Sequence, residues 1–263
     1  MRVYFTAARL SFRRYITYRS ATFAGVVTNT AFGFIRAYIL LAMWHEKPQI
    51  GNYDAADAVT YVFLTQGLIT PIGVFLGSTE LGPRIRTGEV ATDLYRPCDL
   101  QLWFLATDLG RAAAGLLLRT IPPIVIGSVA FPTSLPTAPL PWLRFSVSCA
   151  LALLISFAIR YLVSLTAFWT MDERGTASLL LVVAMFFSGM IIPLVAMPGW
   201  LGSLAHALPW SGTLQVPIDT LLGTNTTSFA DAVTFQFLWA AVLLALGRAL
   251  TSAARHKTVV QGG

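Results

Sequence analysis

Leu143–Phe168 reads LRFSVSCALALLISFAIRYLVSLTAF, and its formal charges are Arg144 at one end and Arg160 in the second half. Roughly 20 consecutive apolar residues cross the hydrocarbon core of a bilayer as an α-helix. The run is long enough, and its backbone can be satisfied in lipid only as a helix or a closed barrel. Working outward, five further runs of similar character appear: Ala21–Trp44, Ala58–Ser78, Gln101–Phe131, Ala177–Ala196 and Ala230–Leu250. The expectation is an all-α membrane protein with six transmembrane helices in one domain spanning residues 1–263.

Composition agrees. Hydrophobic residues make up 56% of the chain and charged residues 11%, against about 25% charged in a typical soluble domain. The mean hydropathy is +0.67. So little polar surface cannot cover a water-facing globule. The net charge of +6 does not point to nucleic acid, because basic loops hold helix orientation in a membrane. Cys98 on a loop and Cys149 inside an apolar run lie at different depths, so no disulfide joins them. His45, His206 and His256 are too scattered for a metal site. The Arg-rich start of the chain does not read as a cleavable signal peptide.

Residues 1–20 are too polar to span. At helical spacing Arg2, Arg9 and Arg13 form one stripe, with Val3, Tyr4, Leu10, Tyr15 and Tyr18 away from it. That pattern fits a helix lying at the headgroup level; a frayed basic tail is the alternative. Pro122-Pro123 should kink the third run, since proline removes a helix donor. Pro132–Pro141 reads as a short loop and Met171–Thr176 as a tight turn. Pro198–Phe229 alternates Pro, Gly and Trp with apolar stretches too short to cross, and is expected to form short helices dipping into the outer leaflet. Within it, Asn225-Thr226-Thr227 fits a glycosylation acceptor by chance. Arg2, Arg9, Arg13, Arg14, Arg19, Arg84, Arg86, Arg96, Arg174, Arg248, Arg255 and Lys257 fall on one side of the runs, and Lys47 and Arg144 on the other. The positive-inside rule then places both termini in the cytoplasm.

Thr79–Leu100 (TELGPRIRTGEVATDLYRPCDL) is the polar cytoplasmic loop between the second and third runs. Gly82-Pro83 is expected to break the preceding helix, Thr87 to cap a short helix over Gly88–Tyr95, and Pro97 to end it. Val90, Leu94 and Tyr95 would then share a face suited to a groove on another protein, or the segment is a solvated connection. Arg84-Ile85-Arg86-Thr87-Gly88-Glu89-Val90 followed by Asp93-Leu94-Tyr95-Arg96-Pro97-Cys98-Asp99-Leu100 resembles the membrane subunits of ABC-2-type ATP-binding-cassette transporters, in the branch with paired permeases and a separate ATPase. Ser188–Leu194, Met197–Leu201 and Ala207-Leu208-Pro209 match the same family at the end of the fifth run and the short external helices.

The resemblance implies a permease whose coupling helix, Thr87–Pro97, docks on ATPase subunits, with a second permease completing the pathway. That second chain is expected to be different, though a copy of this one fits as well. Arg84, Arg86, Glu89, Asp93 and Arg96 would be its charged contacts. No G-x-x-x-x-G-K-[ST] loop occurs in the chain. The chain is therefore expected to hold no cofactor and not to be an enzyme, with ATP and Mg²⁺ bound by the partner. Arg36, Asp108, Arg111, Arg119 and Arg160 lie in or near apolar runs, where each needs a partner or water. Asp108 and Arg111 are three apart and can pair, and Arg160 can snorkel to the cytoplasmic side. Arg36 and Arg119 read either as a polar lining for a substrate path or as bridges between helices. Phe186, Phe187 and Met190 read either as a gate or as packing. The function expected is an exporter of an amphipathic small molecule or lipid-like compound in the cell membrane. A stand-alone channel or ion-coupled carrier is the alternative, and a membrane-embedded enzyme lacks the clustered His, Asp and Glu it would need.

Overall fold

In this computed structural model residues 2–224 and 227–258 are described, with side chains through Ala254. Asn225 and Thr226 of the acceptor pattern, and the side chains of Arg255 and Lys257, lie outside them. The described residues are all-helical apart from turns and one isolated bridge, Ile50 to Tyr53.

Helix α1 (Arg2–Thr17) is amphipathic and lies along α6. Ala7 is buried, the Ser11 hydroxyl donates to Thr107 O at 2.6 Å, and Tyr4 Oη accepts from the Asp99 amide at 3.0 Å. A Cβ at Gly110 would sit 2.1 Å from Ala8 O, so only glycine permits this approach. Val3, Phe5, Leu10 and Tyr18 face outward.

Helix α2 (Arg19–Glu46) follows, then α3 (Ala55–Ile72). An Asp54–Asp57 capping box starts α3 three residues before the expected position. It ends at Ile72, not Ser78, because Gly73 takes φ +77. α3 is buried almost throughout, packed by α2, α6, α7, α8 and α11. That explains how it tolerates Thr60, Thr65 and Gln66: other helices, not lipid, surround it.

The polar loop after α3 forms two short helices, α4 (Leu81–Arg86) and α5 (Val90–Tyr95). Gly82-Pro83 does not break a helix but sits in the first turn of α4, where proline's missing N–H costs nothing. Thr87 does not cap α5. It closes α4, its hydroxyl reaching Arg84 O at 3.4 Å, and Gly88 at φ +79 reverses the chain before Val90.

α6 (Leu100–Gly115) continues through a π-helical turn, Leu116–Thr120, into α7 (Ile121–Ala130). The expected disturbance at Pro122-Pro123 takes this form: the carbonyls four residues earlier lose their donors, and the turn before the prolines widens. α8 (Pro139–Thr170) pairs with α12 (Phe229–Thr258). Gln236 bridges Ser148 Oγ at 2.8 Å and Gly212 O at 2.8 Å, and Tyr161 and Thr251 share a hydrogen bond of 2.8 Å.

α9 (Arg174–Phe187) is 14 residues long, and the run expected to reach Ala196 turns at Ser188 and Gly189, the latter at φ +82. A 3₁₀ turn (Leu194–Ala196), α10 (Gly199–Ala207) and α11 (Gln215–Leu222) complete the outer segment. Four helical stretches among the described residues are long and apolar enough to cross a membrane: Arg19–Glu46, Leu100–Ala130, Pro139–Thr170 and Phe229–Ala254. α3 is not among these four, and α9, at 14 residues, measures about 21 Å against a ~30 Å core.

Candidate functional site

The α4–α5 pair is built as a platform against α6 and α8, at one end of the long helices. Leu81, Ile85 and Val90 are buried in one cluster with Phe104, Phe157, Tyr161 and Leu165 from α6 and α8, and Leu94 packs on its edge. Val90 and Leu94 therefore serve the protein's own core, and only Tyr95, 90% exposed, points away. The expected shared face of Val90, Leu94 and Tyr95 does not exist, because Tyr95 lies about 140° around the helix from Val90. Asp93 is buried and clamps the platform. It accepts from Arg84 Nη2 at 3.1 Å and pairs with Arg96 Nη1 at 3.4 Å. Arg84 also meets Glu89 at 3.1 Å, and Arg96 stacks over Trp103 at 5.0 Å. Arg86 reaches Asp172, 3.7 Å away in the turn after α8. Arg174 beside Asp172 holds that carboxyl down to about 2. The loop charges are engaged within the chain. Pro97 lies in the link between α5 and α6, whose first turn is capped by Asp99.

Below the surface a charged cluster joins this platform to α3. Asp108 on α6 accepts from Arg111 Nε at 2.8 Å and from both Arg160 Nη atoms, at 3.0 and 2.7 Å. The pairing of Asp108 with Arg111 is as expected. Arg160 does not snorkel; it is buried on α8, where Asp108 supplies the counter-charge that water would otherwise provide. Arg111 also donates to Thr70 O (2.7 Å) and Pro71 O (2.9 Å), while Ser156 donates to Ile72 O at 2.6 Å. The excess positive charge thus meets the last carbonyls of α3, the negative end of its dipole. Thr79, just after α3, bonds Ser164 through its amide and hydroxyl, each at 2.8 Å.

Beside this cluster a cavity of about 320 Å³ opens between α1, α2, α3 and α6, with Arg111 and Arg119 in its wall. Arg119 donates through Nη2 to Ala21 O at 2.8 Å and forms no ion pair among the described residues. Arg36 donates to Ile191 O at 3.1 Å, leaving Nε and Nη1 without partners. The two arginines do not meet, since each binds a different stretch of backbone. Phe186 is half exposed, Phe187 packs tilted against Trp210 with ring centroids 6.4 Å apart, and Met190 is buried in the core. These three residues do not form one surface, because the chain turns between them.

Sequence reasoning missed the outer network. Tyr53 donates to Asp219, which also accepts from Gln215 Nε2 at 2.8 Å. Tyr61 Oη lies 2.8 Å from both Gly189 O and Gln215 Oε1, which share its one proton, and the Leu194 amide donates to Gln215 Oε1 at 2.9 Å. This network holds the Ser188–Leu194 turn on the outer part of α3. Burial pushes the Asp219 carboxyl up to about 6. A carboxylate inside the apolar stretch Val216–Leu222 was the available signal. Next to the network lies an outer cavity of about 600 Å³.

No curated protein matches the chain. The family described as ABC-2 family transporter protein matches over residues 28–262, from α2 through the whole helical body and the loop platform. The chain is a membrane protein that belongs to the ABC-2 transporter family.

Proposed function

We propose that this chain is a permease subunit of an ATP-driven exporter, working on an amphipathic small molecule or a lipid-like compound. In this reading α3 and α9 complete six spans, α10 and α11 dip into the outer leaflet, and both termini face the cytoplasm of a cell membrane. A second permease, a different chain or a copy of this one, forms the pathway with it. Separate ATPase subunits bind ATP and Mg²⁺ and dock on α4–α5. Exposed ion pairs contribute only ~0–1 kcal/mol each, so Tyr95 is the principal contact.

The observation that carries the reading is the construction of the platform. Its inner side is fixed to α6 and α8 by buried Leu81, Ile85 and Val90, Asp93 ties α5 to Arg84 of α4, and Tyr95 stands exposed. Such a part can pass a push from outside to the spans. The ion-coupled carrier reading finds less support: Asp108 is held by two arginines and is not free to take up an ion.

The test is Tyr95→Asp in the purified permease reconstituted with its ATPase. Folding, read by gel filtration and melting, should be unchanged. Apparent affinity for the ATPase should fall about tenfold or more, the scale of an aromatic hot spot. Unaltered ATPase stimulation and transport in a well-folded Tyr95→Asp variant would sink the coupling assignment.

A further inference from the structure

We propose that the cavity between α1, α2, α3 and α6 binds the anionic headgroup of an amphiphile taken from the cytoplasmic leaflet, with Arg119 as its anchoring cation. The cavity wall carries Arg111 and Arg119 and no carboxylate. Arg111 is spent: its three nitrogens serve Asp108, Thr70 O and Pro71 O. Arg119 is not spent. Only Nη2 has a partner, a carbonyl, and the side chain is partly exposed. A guanidinium offers five donors in a fork that suits phosphate or carboxylate.

Depth supports the assignment. Arg119 belongs to the Leu100–Ala130 stretch, yet its guanidinium lies against Gly25 and Ala21, in the first turns of α2. On the orientation that the loop charges favour, this is the cytoplasmic edge of the membrane, where headgroups meet acyl chains. The first turn of α2 carries neither a side-chain cap nor an acidic residue, so its free amides add positive potential at the rim.

Shape supports the amphiphile. A volume of about 320 Å³ is at the small end of ligand sites and suits a headgroup with the first carbons of its tail. Ile69, Phe75 and Leu118 supply apolar wall inside. Outside, exposed Leu117, Ile121 and Phe23 offer the tail a lipid-facing path.

The test is native mass spectrometry of the full chain, delipidated in mild detergent and titrated with phosphatidylglycerol or with phosphatidylcholine of the same acyl chains. Phosphatidylglycerol should bind at least tenfold more tightly. Arg119→Gln should abolish that preference, and Arg119→Lys should keep part of it. Arg9→Gln, on exposed α1, should leave it intact. Leu118→Trp, which fills the cavity with Arg119 in place, should also lose the bound lipid. Equal binding of the two lipids, or a preference that survives both Arg119→Gln and Leu118→Trp, overturns the proposal. Competition with dodecyl phosphate separates two sources of the same chemistry: displacement marks a site open to single-chain anionic cargo, and resistance marks a site for diacyl phospholipid. The readout needs neither nucleotide nor ATPase, so it succeeds or fails separately from the coupling test.

Discussion

Asp108 is the residue on which the inner half of the molecule depends. Two buried arginines share it; the other donors of Arg111 close the end of α3, and Arg160 Nε meets Ser156. Removing one partner of a buried charge set leaves the others uncompensated, at a cost of ~3–5 kcal/mol. Asp108→Asn should therefore lower the melting temperature sharply, and a paired change such as Asp108→Asn with Arg160→Met should recover part of the loss. Sequence spacing revealed the Asp108–Arg111 pair, three residues apart on one helix. Arg160 is 52 residues from Asp108, and nothing local in the sequence signals that contact. Asp219, on α11 outside the spanning helices, makes the opposite case. Its carboxyl is raised to about 6 by burial, above the usual ~3.9. The folded state therefore holds the proton more tightly than the unfolded state. The resulting stability is complete below about pH 4 and lost as pH rises through about 6, amounting to on the order of 2–3 kcal/mol. Asn keeps the acceptor for Tyr53 and Gln215 without a charge. Asp219→Asn should thus melt above the wild type at pH 7.5, with the gap closing towards pH 5. A gap that stays constant with pH would assign Asp219 a purely structural hydrogen bond.

At the scale of elements, local chemistry was legible and long-range capture was not. The two adjacent prolines announced the disturbed third helix, and Pro/Gly/Trp punctuation announced the short outer helices. The expected fifth span overran by nine residues because its apolar sequence continues past Phe187. What ends the helix is Tyr61 and Gln215, arriving from α3 and α11 to hold the Ser188–Leu194 turn. The second span overran for a similar reason. Gly73 adopts φ +77, and Arg111 and Arg160 crowd the space beyond it: a Cβ would lie 3.1 Å from Arg111 Nη2 and 3.2 Å from Arg160 Cζ. Gly73→Ala combines left-handed strain with displacement of the charged cluster, and should cost ~2 kcal/mol or more. Gly88→Ala provides the comparison. Its φ is +79 and no atom lies within 4 Å of the added Cβ, so only the backbone term of ~1 kcal/mol remains. Equal melting losses for the two variants would remove the charged cluster from the account of how α3 ends.

Over the whole molecule, α3 is an axis that carries buried polar side chains and is gripped at both ends, with the other helices set around it. Its last carbonyls are held by Arg111 and Ser156, and its outer half by the Tyr61 network. Composition led to the correct helical class, yet hydropathy alone cannot distinguish a helix wrapped by protein from one wrapped by lipid. Of the six apolar runs, four correspond to helices long and apolar enough to span by length and composition. The orientation rests on the loop charges. The α1 helix, α4–α5 and the turn after α8 carry the basic residues, while the loop before α3 and the α10–α11 segment carry few or none. The positive-inside rule then predicts that Tyr95 and Ser203, both exposed, face opposite compartments. In a Cys98→Ser background, Ser203→Cys should react with a membrane-impermeant maleimide on intact cells. Tyr95→Cys should react only after permeabilisation. The buried Cys149 should stay silent in both, since its thiol lies within the α3–α8 core. Labelling of Tyr95→Cys from outside would invert the molecule. It would also place the α4–α5 platform where no ATPase could reach it.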